Sequence, residues 1–499
     1  MRVLPYCFAV AAALQAQPQV NGVSNDANRV CCDTITPGSV FAAFGFNLGR
    51  SAAAGGFPLR EELAGTSVRV TVGGTTVAAL MLESTEGLRV RAILPSHTPV
   101  GAGVLTVTYN GRTSTPRQIR VVRRQFGIFH SFSNVNSVAD WQNNSPTAAA
   151  RPGQLVALWG TGLGPVAGDE AGGPLPQAFD LPDLEVLVGD KPVRVLYAGR
   201  SGCCAGVDQI VFEAPAGVEG CYVPVVVRFL DAGEDSNYAT LSIARDGGSC
   251  SDPFGLPAVL QEKQGRLRIG HMRAWSAAFG LGTAHVLPPF GTCNEWGGGG
   301  IGQPNLDAGP VLNFRTPHGL IVLQRPRPIP GHFQSYYLPG DPGPPLDPGE
   351  YSIDNGEGGT DVGPFQTTFN VPALSFTWSN RDSLSAARRS EAIRVTWSGG
   401  DPTQGYVLIS GSFRIYSEDV GIYEGLGGFL CTERADKGSF SIPLHVLWRA
   451  RVPLESRQGA PTFLDLSVGF QAHHRFEAPG LDLAEFLYSM GGQKPLPVE

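Results

Sequence analysis

The stretch PGQLVALWGTGLG, residues 152–164, is the first candidate for chemistry, because an apolar strand that runs into G-x-G begins a dinucleotide-binding motif. The third glycine falls one position early, at Gly164, and Pro165 stands where it should be. The residues that follow are rich in glycine and proline and lack helical periodicity. A phosphate would therefore find no helix N-terminus. We expect these glycines to let a strand cross between sheets through positive φ values, and we expect no nucleotide site.

Cysteine is the second residue type with its own chemistry. The chain has nine cysteines, and eight remain if an N-terminal export signal that contains Cys7 is removed. An even number in an oxidising compartment favours disulfide bonds. Metal binding is the alternative, but the sequence has no C-x-x-C pair and no Cys/His pairing at zinc spacing. The remaining cysteines are Cys31, Cys32, Cys203, Cys204, Cys221, Cys250, Cys293 and Cys431.

The positions of these cysteines suggest how they pair. Cys293 and Cys431 are the two cysteines of the last part of the chain, so we expect a bond across that domain. Cys221 begins one predicted strand and Cys250 follows the next, and an antiparallel hairpin would bring these ends within reach of a disulfide. The adjacent cysteines remain, each pair bonded internally or across modules: Cys31–Cys32 and Cys203–Cys204.

Oxygen ligands gather in DPGPPLDPGEYSIDNGEGGTD, residues 341–361, where they could hold a calcium ion. Their spacing matches no EF-hand loop, and DPGEY is an ordinary turn into a strand. We therefore expect no resident cofactor, with a structural calcium ion as the alternative. The candidate ligands are Asp341, Asp347, Asp354, Asn355, Glu357 and Asp361.

Histidine and aromatic residues are the other candidates. His473 and His474 are adjacent in a predicted strand, so their side chains point to opposite faces and cannot readily share a metal ion. We expect them on the surface or at the end of a strand. Exposed aromatic rings could stack on sugar rings, although packing in a core explains aromatic residues more simply. The candidate rings are Trp275, Trp296, Tyr336 and Tyr337.

The elements that must position these residues are repeated. PGSVFAAFGFNLG, residues 37–49, has the pattern of residues 152–164, at an offset of 115 positions (152 − 37). VRVTVGGTTVAAL (68–80) parallels LEVLVGDKPVRVL (184–196) as a strand, a glycine turn and a second strand. A repeat of this length is one domain copied in tandem.

Residues 37–49 and LPSHTPVGAGVLTVTYNG (94–111) resemble the IPT/TIG immunoglobulin-like domain, which opens with P-G, an apolar strand and a glycine-rich turn. The second copy, with GTGLGPV and GVDQIVFEAP, is similar to tandem modules of secreted acidobacterial proteins. The resemblance covers about residues 20–246 and implies a β-sandwich of about seven strands per module, without catalytic residues. Such modules also occur in DNA-bound transcription factors, but a net charge of −7 gives no electrostatic basis for a nucleic-acid partner.

The chain beyond the turn-rich linker at residues 247–255 also reads as strands, among them GSFSIPLHVLWRA at 438–450. This region resembles, more loosely, a C-terminal β domain found behind such paired modules. A charged fraction of 16%, with 65 glycines and 40 prolines, disfavours long helices. We predict an all-β protein with two tandem immunoglobulin-like β-sandwiches, at 20–124 and 125–246, and a larger third β-sandwich domain at 256–499.

The first residues predict export. Arg2 is followed by an apolar run and by small residues around Ala16, which is the layout of a secretory signal peptide over residues 1–16. The run is too short to span a bilayer, and no later segment reaches about 18 apolar residues, so no transmembrane segment is expected. We expect a protein of the extracellular space, the cell surface or the periplasm.

These patterns favour a secreted, non-enzymatic protein with an adhesion, display or ligand-binding role. Its expected partner is an extracellular ligand, either a glycan or another surface protein. The alternative is a secreted polysaccharide-active hydrolase whose third domain holds paired carboxylates. The sequence has no G-x-S-x-G motif and no evident set of nucleophile, base and metal ligands, so catalytic residues are not assigned.

Overall fold

The computed structural model describes the greater part of the chain. Strands hold 55% of the residues and helices 3%, which confirms the predicted all-β class. Within the described part, no helix is long and apolar enough to cross a membrane. The predicted signal peptide, residues 1–16, lies outside it. The described residues are 17–28, 33–137, 140–230, 234–263, 265–273, 276–283, 286–295, 300–303, 306–325, 335–337, 346–373, 375–388, 390–417, 422–447 and 462–499.

The described residues group into two compact units. The first unit is drawn from Met1–Phe129, Leu158–Pro182 and Tyr197–Ile210. The second unit is drawn from His130–Ala157, Asp183–Leu196 and Val211–Glu499.

The first sandwich is built from short strands joined by tight turns. Its strands are β1 (Gln19–Asn25), β2 (Thr34–Ile35), β3 (Val40–Phe46), β4 (Ala52–Ala53), β5 (Glu62–Leu63), β6 (Thr66–Val72), β7 (Thr75–Ala78), β8 (Leu80–Thr85), β9 (Arg89–Ile93), β10 (Gly101–Tyr109), β11 (Arg112–Thr113) and β12 (Arg117–Val121).

The order of these strands is that of an immunoglobulin-like domain. One sheet runs β1-β3-β9-β8-β4, and the other runs β2-β12-β10-β6-β5. This is the arrangement in which strands A, B, E and D face strands G, F and C. Along β6 the side chains alternate, so that Val68, Val70 and Val72 are buried and Arg69 is exposed. Together with Phe41 from the opposite sheet they form one apolar core.

The second sandwich repeats this order. Its strands are β13 (Gly127–Val135), β14 (Trp141–Asn143), β15 (Leu155–Thr161), β16 (Gln177–Ala178), β17 (Leu184–Val188), β18 (Lys191–Val193), β19 (Val195–Arg200), β20 (Asp208–Glu213), β21 (Gly220–Phe229), β22 (Glu234–Asp235) and β23 (Ala239–Ile243).

The repeated order extends to a small detail of pairing. The sheets run β14-β13-β15-β20-β19-β16 and β18-β17-β21, with β23 also paired to β21. In the first sandwich β2 joins β12 in parallel, through Ile35 and Val121. In the second sandwich an isolated parallel bridge joins Ala150 and Ile243 at the matching place. The sequence repeat is therefore a repeat of topology.

The third region contains longer strands and three single turns of helix. Its elements are α1 (Ala258–Gln261), β24 (Leu267–Arg273), β25 (Ser276–Thr283), β26 (Thr292–Glu295), β27 (Gly300–Gln303), β28 (Val311–Thr316), β29 (Gly319–Gln324), β30 (Ser335–Tyr337), β31 (Gly349–Asp354), β32 (Gln366–Val371), β33 (Phe376–Trp378), β34 (Ile393–Gly399), β35 (Gly405–Ser417), β36 (Ile422–Glu433), a 3₁₀ turn (Ala435–Lys437), β37 (Ser439–Ile442), α2 (Leu444–Leu447), β38 (Thr462–Phe476) and β39 (Leu483–Pro497).

One large sheet dominates this region. Thirteen strands follow the order β26-β36-β35-β38-β39-β24-β25-β30-β29-β28-β31-β32, with β27 attached to β25. The edge strand β32 packs against β39, which lies in the middle of the same sheet. The ring of Phe369 in β32 is 4.5 Å from the ring of Phe486 in β39. The sheet therefore supplies both layers of its own core, aided by a small sheet of β33, β34 and β37.

The segment 438–450 differs from its prediction as one strand. Only Ser439–Ile442 is a strand, and a helical turn follows at Leu444–Leu447. Pro443 stands between them, and it has no N–H for a sheet ladder but suits the start of a helical turn. The single proline therefore ends the strand.

A buried arginine organises the first compact unit. Arg200, at the end of β19, is 1% exposed. Its Nε donates to Oδ1 of Asp208 at 2.7 Å, and one terminal nitrogen lies 3.4 Å from Glu170. The remaining hydrogen bonds go to the carbonyl oxygens of Gly38 and Gly164. The charge is thus matched by two carboxylates and two backbone dipoles, as a buried ion requires.

The two carboxylates extend this network to the backbone. Oδ2 of Asp208 accepts the N–H of Leu163 at 2.7 Å. Burial raises the pKa of Asp208, and the neighbouring Arg200 charge opposes that rise. Oε2 of Glu170 accepts the N–H of Ser96 at 2.7 Å. Turns of the first sandwich and of the second are therefore bonded to one ion-pair cluster.

Replacing Arg200 with methionine should cost about 3 to 5 kcal/mol of unfolding free energy, because it leaves buried carboxylates without a partner. Urea-dependent hydrogen exchange of peptides that cover residues 155–164 measures this loss. Arg194→Met is the control, since the Arg194–Glu213 pair has side chains 73% and 41% exposed and should contribute less than about 1 kcal/mol. Equal losses in the two variants would contradict the structural role of the cluster.

Candidate functional site

The glycines of residues 152–164 allow this segment to pack closely against the segment that contains Gln125 and Phe126. A Cβ at Gly160 would overlap the ring of Phe126, and one at Gly162 would overlap the carbonyl of Gln125. Gly162 and Gly164 have φ values of +107° and +141°, a region that favours glycine. The glycines therefore allow a close approach of two chain segments and a left-handed backbone.

Three disulfide bonds join six of the predicted cysteines. The bonded pairs are Cys203–Cys204, Cys221–Cys250 and Cys293–Cys431. Cys293 and Cys431 face each other on neighbouring antiparallel strands, β26 and β36, so the bond lies within one sheet. Cys31 and Cys32 lie outside the described residues.

The three bonds differ in how much they can stabilise the fold. The bonded residues are 138, 29 and 1 positions apart in Cys293–Cys431, Cys221–Cys250 and Cys203–Cys204. The chain-entropy model gives about 5, about 3.5 and about 1 kcal/mol for loops of these lengths. The first two bonds are therefore structural, and the adjacent pair adds little to global stability.

Four of the described calcium candidates have partners within the protein, namely Asp347, Asp354, Asn355 and Asp361, and Glu357 is exposed. Oδ2 of Asp347 lies 2.8 Å from Nε2 of His318, and Oδ1 of Asp354 accepts a hydrogen bond from Asn313. Asn355 is buried and donates to two backbone carbonyls at 3.1 Å. No group of three or more His, Cys, Asp or Glu side chains that could hold a metal ion is found in the described part of the chain. Asp341 lies outside it. The absence of a resident cofactor stays a prediction, with a structural calcium ion as its alternative.

Among the aromatic candidates, the structure describes the side chain of Tyr336. Tyr336 is 1% exposed and its hydroxyl donates to the carbonyl of Gly309, so it belongs to the core. Burial raises the pKa of Tyr336 to about 12. The remaining candidate side chains lie outside the described part: Trp275, Trp296 and Tyr337.

The adjacent histidines point to opposite faces of β38. Nε2 of His473 lies 2.7 Å from the hydroxyl of Tyr406, and its Nδ1 lies 3.3 Å from Glu485. His474 instead contacts the hydroxyl of Thr367 at 2.8 Å. The two rings sit near the end of the strand, as expected, but they are partly buried rather than on the surface because each has a polar partner inside the domain.

Two acidic residues of the third region, Asp307 and Asp361, are joined by a hydrogen bond from backbone to side chain. Oδ2 of Asp361 accepts the N–H of Asp307 at 2.9 Å. The N–H of Gly309 and the charge of Arg325 lower the pKa of Asp307. A glycoside hydrolase needs a general acid with a raised pKa. Asp307, which pairs with Arg325, therefore fits an ion-pair network at a turn better than it fits a general acid.

A concave site lies at one end of the first sandwich, within the first compact unit. The turn after β3, the turn between β8 and β9, and the end of β10 form its walls. Its volume is about 390 Å³, within the range of sites for small ligands. We call it the tip pocket. Its lining residues include Phe46, Asn47, Gly49, Glu86, Leu88 and Tyr109.

Hydrogen bonds fix the turns of the tip pocket. The N–H of Leu48 donates to the carbonyl of Gly87 at 2.9 Å, and the N–H of Gly45 donates to Leu88 at 2.9 Å. Asn47 and Glu86 have φ values of +56° and +48°. A left-handed Glu costs of the order of 1 kcal/mol and persists only where its surroundings hold it. The turns that line the pocket are therefore held by the backbone of the protein itself.

The side chains of the tip pocket combine apolar faces with hydrogen-bonding groups. Phe46 is 53% exposed and Leu88 is 50% exposed, and Tyr109 is half-buried beside them. The amide of Asn47 and the carboxylate of Glu86 are exposed. Such a surface can hold a ligand that has one apolar face and hydroxyl groups along its edge.

The same end of the second sandwich is occupied. Thr161 stands where Phe46 stands in the first copy, 115 positions earlier (161 − 46). Its Oγ1 accepts the N–H of Val40 at 2.9 Å and donates to Gly206 at 2.6 Å. Asn25 donates to its carbonyl at 2.9 Å. This end therefore binds the first sandwich, whereas the matching end of the first sandwich carries the tip pocket.

Sequence reasoning missed the tip pocket because it weighed what the two copies share. The signal lies in what they do not share, since Phe46 and Asn47 stand at the end of β3 where the second copy has Thr161 and Gly162 at the end of β15. A large aromatic residue at a position where the other copy has a threonine is the difference that a comparison of the two copies offers.

No family model matches the chain, and no curated protein matches it significantly. Among solved structures it is similar to SGBP-B of the Bacteroides ovatus mixed-linkage glucan utilization locus in complex with a heptasaccharide (13% identity, 46% of this chain, 47% of that one, TM-score 0.22). It is also similar to fibronectin(III)-like modules of Clostridium thermocellum CbhA (15% identity, 45% and 95%, TM-score 0.12). A protein of unknown function from Bacteroides thetaiotaomicron shows 10% identity (54% and 56%, TM-score 0.17).

The chain spans about half the length of the first and third of these structures. Every one of these TM-scores is below 0.5, so the likenesses carry no argument about ligand or activity. The strand order itself defines the class: an all-β protein with immunoglobulin-like sandwiches.

Peptide mapping without reduction should recover Cys221–Cys250 and Cys293–Cys431 as linked peptides. The double variant Cys293→Ser/Cys431→Ser should lose about 5 kcal/mol of unfolding free energy, and Cys203→Ser/Cys204→Ser about 1 kcal/mol, because the closed loops differ in length. Chemical denaturation measures both losses. Free thiols at Cys293 and Cys431 in the untreated protein would refute the pairing.

Proposed function

We propose that this protein is a secreted, non-enzymatic binding protein that acts outside the cell in adhesion or display. The second sandwich serves as a spacer that carries the first, and the tip pocket is the ligand site. The ligand is a glycan. For residues 20–246 we propose membership of the IPT/TIG group of immunoglobulin-like domains, on the residues that resemble it.

The tip pocket is the observation that carries this proposal. Sugar rings have apolar C–H faces that stack on aromatic rings and hydroxyl groups that bond to amides and carboxylates. Phe46 and Tyr109 supply the rings, and Asn47 and Glu86 supply the polar groups. Loops at one end of a rigid sandwich are also where immunoglobulin-like domains bind their ligands.

The disulfide bonds support the extracellular part of the proposal. Two of them link residues far apart in sequence and are buried, as stable bonds of exported proteins are. Such bonds persist in oxidising compartments and are rare in the reducing cytosol.

Phe46→Ala should weaken glycan binding at least about tenfold, because the variant loses the exposed ring of the pocket. A glycan array on the purified chain identifies the ligand, and calorimetry measures its affinity. Phe57→Ala is the matched control, since Phe57 is 48% exposed, lies in the same sandwich and does not line the pocket. Equal affinities in the two variants would place the site elsewhere.

The non-enzymatic part has its own test. The purified protein, incubated with the glycans that it binds, should release no reducing sugar above a buffer control. Steady release that depends on protein concentration would favour the hydrolase alternative. If the purified chain binds to proteins on a protein array but to no glycan on the glycan array, the ligand is another surface protein.

A further inference from the structure

The adjacent cysteines lie in a loop that has a second role. Residues 201–207 connect β19 to β20, so Arg200 and Asp208 of the buried ion pair stand at the two ends of this loop. The loop is closed by a hydrogen bond from the N–H of Ser201 to the carbonyl of Val207 at 2.9 Å. Both cysteines at its tip are exposed.

The other side of the loop packs on the first sandwich. Ala205 contacts an apolar cluster that includes Val40 and Ile93. A Cβ at Gly206 would lie 2.9 Å from Val40 and 3.0 Å from Ile93, so the backbone itself is in close contact. The carbonyl of Gly206 also accepts the hydroxyl of Thr161 at 2.6 Å.

We propose that Cys203–Cys204 is a thiol-exchange site whose oxidation state controls the packing of this loop on the first sandwich. An exposed disulfide is open to attack by a thiolate, whereas a buried one is protected. The other two bonds are buried, at Cys221, Cys250, Cys293 and Cys431. Because the adjacent pair closes the shortest loop, its opening leaves the fold intact and acts locally.

The partner in this reaction is a dithiol reductant, either a small molecule or a thioredoxin-like protein. Its thiolate attacks Sγ of one cysteine, the S–S bond breaks, and a mixed disulfide forms. The second thiol of the reductant then attacks that mixed disulfide. Cys203 and Cys204 leave as two thiols, and the reductant leaves as a disulfide, with two electrons and two protons transferred.

Opening the bond removes the restraint on the peptide between the two cysteines. The N–H of Val207 donates to the carbonyl of Cys204 at 3.3 Å, so the hydrogen-bonded end of the loop starts at one of the two cysteines. Loss of this hydrogen bond frees Ala205 and Gly206 from the first sandwich. The inference concerns the contact between the loop of residues 201–207 and the first sandwich, not the tip pocket. It does not rest on the proposed function.

The first measurement titrates the full-length protein with dithiothreitol under native conditions and traps thiols with iodoacetamide. Mass spectrometry should find Cys203 and Cys204 alkylated at reductant concentrations at least tenfold lower than the four buried cysteines. Alkylation of all six at the same concentration would overturn the proposal.

The second measurement follows hydrogen exchange at Val40, Ser201 and Val207. Selective reduction should speed exchange at these amides at least tenfold, and Cys203→Ser/Cys204→Ser should exchange fast without reductant. The same reductant should change nothing further in that variant, which ties the effect to this pair. Unchanged exchange at Val40 after opening of the bond would overturn the proposal.

Discussion

A single buried charge sets the geometry of the first compact unit. Arg200 has lost its water, so every N–H of its guanidinium that is buried needs an acceptor. Those acceptors come from Asp208, Glu170 and the carbonyls of Gly38 and Gly164, which belong to separate turns of the two sandwiches. The planar, forked shape of the guanidinium fixes their directions as well as their distances. Loss of the arginine would leave its buried carboxylates without a partner, which is the cost of breaking a buried ion pair.

Strand β3 connects the contact between the two sandwiches to the tip pocket. It begins at Val40, whose N–H donates to Thr161 of the second sandwich, and it ends at Phe46 in the pocket wall. The two ends of one short, buried strand therefore hold two different surfaces. One copy of the repeat packs this end against a neighbouring sandwich, and the other leaves the matching end open as the tip pocket.

The three disulfide bonds differ in burial and in the length of the loop that each closes. Cys221–Cys250 and Cys293–Cys431 are buried and close long loops, so they act on the unfolded chain. Cys203–Cys204 is exposed and closes almost no loop, so its effect is confined to the segment between Arg200 and Asp208. Burial and loop length together separate two bonds that stabilise the whole fold from one exposed bond whose effect is local.

The sequence by itself determined the all-β class and the tandem repeat, because alternating side chains, turn residues and a repeated pattern can be read along the chain. The immunoglobulin-like order came from the resemblance of residues 20–246 to a known domain, and the strand pairing confirms it. The proline at 443 was an equally local signal, and it ended a strand that apolar content alone had extended. Only the tertiary structure decided that Arg200 is buried and that Phe46 is exposed. Both depend on which turns meet in space, and the residue types of a turn do not state their neighbours. The same reason places Tyr336 in the core, since a ring reads alike in sequence whether it packs or binds.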